Sequence, residues 1–70
     1  MSICRFDSET LENLRQADEM IKCQKLHKTK FLRQFGLQTS AWNEWLSGKK
    51  SSTRESNRRK LDAVFIEFGL

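Results

Sequence analysis

Residues 28–48 read KTKFLRQFGLQTSAWNEWLSG, and this stretch limits the possible folds more than any other part of the chain. Its apolar residues fall at Phe31, Leu32, Phe35, Leu37, Trp42, Trp45 and Leu46. That three-and-four spacing predicts one helix on each side of Gly36. Gly36 stands where the backbone must turn sharply, a place where positive φ is cheap only for glycine. The first of the two helices is expected over residues 29–35, capped near His27 or Thr29. The second begins at Thr39 or Ser40 and runs to about Ser47, with Gly48 as its stop.

The flanks extend the same pattern. A first helix begins at Asp7 or Ser8, both good caps, and reaches about Gln24. Leu11, Leu14, Ala17/Asp18 and Met20/Ile21 form its inner stripe. Glu9 and Glu12 in its first turn and Lys22 and Lys25 in its last suit the helix dipole. Residues 1–6 form a short lead whose Ile3 and Phe6 pack down on the helices. After a loop over residues 49–51, Ser52-Thr53-Arg54-Glu55 reads as a capping box opening a last helix. That helix reaches Phe68 on a stripe of Leu61, Val64/Phe65 and Phe68. The chain has no proline, three glycines and no sustained strand-like alternation, so the expected class is all-α. Its 70 residues make a single four-helix domain, 1–70, with a modest core.

Charge is unevenly spread. Residues 1–20 hold two basic and five acidic side chains, a balance of −3, whereas the other fifty sum to +7. From Lys22 to Asn43 there is no acidic residue. One basic face turned toward a polyanion is the reading this favours, against the plain alternative of a solvated lysine-rich surface. Cys4 and Cys23 are too few for a disulfide framework and are expected as reduced, half-buried thiols, with a bridge between them as the alternative. The longest apolar run, residues 63–66, is far too short to span a membrane, and no signal peptide is evident. A cytoplasmic, nucleoid-associated protein is the expectation. Cys23 and His27 have the spacing of a metal pair but no second pair to complete a site, so no metal and no cofactor are expected. One histidine without an acidic orienter or an activated nucleophile also argues against an enzyme.

Two helices about a glycine turn are the layout of a helix-turn-helix, in which the second helix enters the DNA major groove. At the level of motif the chain resembles the lambda-repressor/Cro-like family of DNA-binding domains. The likeness rests on Phe31, on Phe35 before Gly36 and Leu37 after it, on Trp42 and Trp45 at the buried positions of the second helix, and on the ending WLSGKK. It is strongest over residues 26–48. Three departures stand out. Leu32 replaces a small residue, Trp42 replaces a branched aliphatic, and His27-Lys28 replaces threonine-glutamine. The two oversized side chains predict a wider angle between the helices than the family's.

The resemblance implies a sequence-specific regulator of transcription, a repressor or Cro-like switch of phage, plasmid or bacterial type. Gln38, Thr39, Ser40, Asn43, Glu44 and Ser47 then face the bases. Gln38 and Asn43 have amides able to pair bidentately with adenine, and Glu44 can accept from cytosine or bridge to a nearby lysine. Lys28, Lys30, Arg33, Lys49, Lys50, Ser52 and Arg54 are the candidate phosphate contacts, with the Ser51 and Thr53 hydroxyls beside them. Trp42 and Trp45 can stack on bases, although their spacing fits core packing better. Double-stranded DNA is the expected partner and a homodimer the expected state, its surface at Phe65, Ile66, Phe68 and Leu70. The alternatives are a protein-interaction module or inhibitor working through acidic helix 1, and a non-specific nucleic-acid binder.

Overall fold

The computed structural model describes residues 3–70, so Met1 and Ser2 of the expected lead lie outside it. Its elements run β1 (Ile3–Arg5), α1 (Ser8–Cys23), α2 (Lys28–Gln34), α3 (Thr39–Leu46), β2 (Ser52–Arg54) and α4 (Glu55–Glu67). The chain is mostly helical, as its composition predicts, but it is not strictly all-α.

The exception is a two-stranded antiparallel ribbon. Ile3 lies opposite Arg54, Cys4 opposite Thr53 and Arg5 opposite Ser52. The Phe6 N–H extends the pairing by donating to the Ser51 carbonyl at 2.9 Å. Strand alternation turns Cys4 and Thr53 inward and leaves Ile3, Arg5 and Arg54 exposed. Two expectations are corrected here. Ser52 does not cap α4: residues 52–54 spend their backbone on β1, and Arg54 occupies the cap position with no side-chain bond. Ile3 does not pack down either, being 70% exposed on the outer face of the ribbon.

Local chemistry explains where the helices begin. Asp7 caps α1, its carboxylate accepting from the Thr10 N–H at 2.8 Å. That bond holds the Asp7 carboxyl below the usual aspartate range. His27 caps α2 with Nδ1 accepting from the Lys30 N–H, a long bond at 3.4 Å. Neither Thr39 nor Ser40 caps α3, which starts after an uncapped Gln38. The Thr39 hydroxyl instead bonds the Thr29 hydroxyl at 3.2 Å and ties the two short helices together.

The helix ends share one device. At the close of α2 the Leu37 N–H reaches the Leu32 carbonyl and the Gly36 N–H reaches the Arg33 carbonyl, with Gly36 at φ +75°. This is a Schellman motif, and it drives Leu37 under the turn into the core. The same pair of bonds closes α1, from Leu26 to Ile21 and from Lys25 to Lys22. There the left-handed position is filled by Lys25 at φ 53°, not by glycine.

The core draws on every helix: Leu14, Ala17 and Ile21 from α1, Leu32 from α2, Trp42 and Trp45 from α3, and Leu61, Val64 and Phe65 from α4. Trp42 is wholly buried, a contribution of about 4–6 kcal/mol at the upper bound of area accounting. Phe6 packs edge-on against Trp45 at 5.8 Å, so this part of the lead does pack down. Phe31 links Phe35 and Phe68 with centroid distances of 5.2 and 5.3 Å. Phe65 is only 4% exposed and belongs to this core, which removes it from any dimer surface. Cys4 is half-buried, whereas Cys23 is exposed rather than half-buried, and both thiols are free. No helix of the described residues is long and apolar enough to cross a membrane.

Candidate nucleic-acid interface

α3 owes its two faces to its tryptophans. With Trp42 and Trp45 turned inward, Ser40, Asn43 and Ser47 are exposed, as is Gln38 just before the helix, while Thr39 and Glu44 are half-buried. One side of α2, the turn after it and the start of α3 enclose a shallow groove lined by Thr29, Arg33, Leu37, Gln38, Thr39 and Ser40. The groove brings four of the expected contact residues together: Arg33 with Gln38, Thr39 and Ser40. On the other flank of α3, a second depression between Ala41 and Trp45 is rimmed by Lys50, Ser52, Arg54 and Asn57. Asn57 was no candidate in the sequence; its place beside α3 depends on how α4 crosses the ribbon.

Several candidates are already engaged within the chain. Glu44 pairs with Lys50 at 3.2 Å, the solvent-side bridge that its chemistry allows. The Ser47 hydroxyl donates to the Glu44 carbonyl at 3.2 Å. Thr53 is buried, so its hydroxyl is no surface donor. Ser52 is half-buried within β2. Lys30, Arg33, Lys49 and Arg54 are exposed and form no ion pair among the described residues. Lys60 reaches back to the Gly36 carbonyl at 3.3 Å, covering the end of α2.

The most connected polar group is Asp18, which the sequence places on the inner stripe of α1. Its Oδ1 accepts from the Trp42 indole N–H at 3.1 Å and from Lys28 Nζ at 3.0 Å, and its Oδ2 pairs with Lys22 at 3.1 Å. Burial alone pushes its pKa up, but hydrogen bonds from Lys28, Trp42 and Lys22 outweigh that penalty and hold the carboxyl below the usual aspartate value. Asp18 in turn raises the Lys22 pKa. A buried indole N–H needs an acceptor, and a carboxylate on the apolar stripe of a neighbouring helix is where one would be sought. Lys28 continues the chain of contacts, donating to Asn43 Oδ1 at 2.9 Å. One line of bonds therefore runs from α1 through α2 to the exposed face of α3.

Among the described residues no three His, Cys, Asp or Glu side chains converge as metal ligands. Comparison with protein families, with curated proteins and with solved structures returns no match.

Proposed function

We propose that the chain is a sequence-specific double-stranded DNA-binding protein, with α2 and α3 acting as a helix-turn-helix and α3 as the groove-reading helix. The observation that supports this most directly is the pairing of α3's polar outer face with unneutralised cations on both its flanks. Gln38, Ser40 and Asn43 are exposed, Arg33 lines the groove on one flank of α3 and Arg54 the depression on the other, and Lys30 and Lys49 are exposed as well. Exposed amides and hydroxyls read base edges, while cations in that position hold phosphates. The lambda-repressor/Cro-like resemblance points the same way. A role in transcription, of repressor or Cro type, and a cytoplasmic location follow from this proposal. Enzymatic activity forms no part of it.

A domain of this size reads few base pairs alone, so we further propose a homodimer on a palindrome. With Phe65 in the core and Phe68 and Leu70 half-buried, the proposed surface narrows to the face around Ile66, which is 76% exposed.

The test is selection from a random duplex pool at about 150 mM salt, a range in which phosphate contacts alone bind weakly. Enrichment of a palindrome is the expected result. Binding without enrichment that disappears on adding salt would reduce the protein to a non-specific binder. No binding at all would turn the search to a protein partner. Arg33→Ala or Lys49→Ala is expected to weaken all duplexes alike and to flatten the salt slope by about 0.9 each. Lys50→Ala is expected to do less, because Glu44 already neutralises that side chain.

A further inference from the structure

The hydrogen bonds on α3 bear on which base the protein reads. The Asn43 amide is exposed, but its orientation is not free: Oδ1 faces the Lys28 ammonium at 2.9 Å. Turning the amide over would set N–H against N–H beside a positive charge. Lys28 is itself fixed, because the same ammonium donates to buried Asp18 Oδ1 at 3.0 Å. One oxygen lone pair of Asn43 is thus occupied by a cation, and its Nδ2 is left pointing outward with both N–H groups unused.

A bidentate contact between asparagine and adenine needs Oδ1 to accept from N6 while Nδ2 donates to N7. Guanine instead offers two acceptors, O6 and N7, on its major-groove edge. The Lys28–Asn43 pair displays Nδ2–H groups together with a remaining Nζ–H, which is a surface of donors. The geometry points to Lys28 as a specificity-determining residue that, by occupying one lone pair of Asn43 Oδ1 and setting an ammonium beside the other, where adenine's N6–H donors would have to approach, makes this position read guanine rather than adenine. Asp18 is the positioning residue behind it. The inference rests on the proposed DNA-binding role of α3, and it replaces both the adenine contact expected of Asn43 and the phosphate contact expected of Lys28.

Parallel selections from a random duplex pool with wild type, Asn43→Ala, Lys28→Met and Lys28→Arg test it. Asn43→Ala identifies the position, since its preference is the one that disappears. In the wild-type site that position is guanine, favoured over adenine by roughly 5- to 100-fold. Lys28→Met frees Oδ1, and the preference moves toward adenine; Lys28→Arg keeps the donors and keeps guanine. Circular dichroism of each variant checks that it is folded, and the wild-type and Asn43→Ala comparison stands even if Lys28→Met is not. A wild-type site with adenine or no preference at that position overturns the inference and leaves the DNA-binding reading intact. So does an Asn43→Ala site identical to wild type, or a folded Lys28→Met that still selects guanine. If wild type enriches no sequence, the DNA-reading role and this inference fall together.

Discussion

Asp18 shows how much one side chain can carry. It joins three helices through Trp42, Lys22 and Lys28, yet only the bonds to Trp42 and Lys28 are sheltered enough to count for stability, since Lys22 is largely exposed. Asp18→Asn is expected to cost about 1–3 kcal/mol at neutral pH, because the ammonium of Lys28 loses its counter-charge in a half-buried setting. The pH dependence has a definite sign. The folded-state pKa of Asp18 is depressed, so its contribution is complete above the ordinary value of 3.8 and is lost as pH falls through the lower folded value. Urea melts of wild type and variant should therefore differ at pH 7 and converge in acid. A gap that persists unchanged in acid would mean that packing, not charge, carries the effect.

At the scale of elements, the left-handed residues that close α1 and α2 invite a paired experiment. Gly36 lies at φ +75° and a Cβ there would meet the Lys60 side chain at 3.3 Å, so Gly36→Ala is expected to destabilise by about 1–2 kcal/mol. Lys25 occupies the equivalent position after α1 at φ 53°, and Lys25→Gly is expected to stabilise by up to about 1 kcal/mol. Opposite shifts in the urea midpoint would verify both. The contrast also shows what a sequence reveals of helix ends. A glycine after a periodic segment announces the motif, as at Gly36, Gly48 and Gly69, all at positive φ. A lysine in the same conformation announces nothing. The ribbon is equally hidden, because three residues are too few for alternation to stand out in a sequence and the two strands lie far apart in the chain. Ser52 and Glu55 match a local pattern, but a long-range pairing claims the backbone of residues 52–54. Trp42 and Trp45 were legible as core because their spacing is local. The bond from Lys28 to Asn43 was not, since it depends on how α2 meets α3.

For the whole molecule, the aromatic contacts join the ends of the chain to its middle. Phe6 braces Trp45 from the N-terminal side, and Phe68 reaches Phe31 from the C-terminal side. Phe6→Ala is expected to cost about 1–2 kcal/mol, part from the lost edge contact and part from apolar area, and to alter tryptophan fluorescence before unfolding. Unchanged fluorescence and an unchanged melt would show that the lead is not braced there.

The ribbon also bears on the order of folding. Helices and their end motifs form from neighbours, but pairing Arg5 with Ser52 encloses about two thirds of the chain between them, and closing so long a loop costs entropy before any bond is gained. The strands should be late to form and early to part. Amide hydrogens at Cys4 and Thr53 should then exchange with deuterium ahead of those in the middle of α1, through an opening that leaves the helices standing.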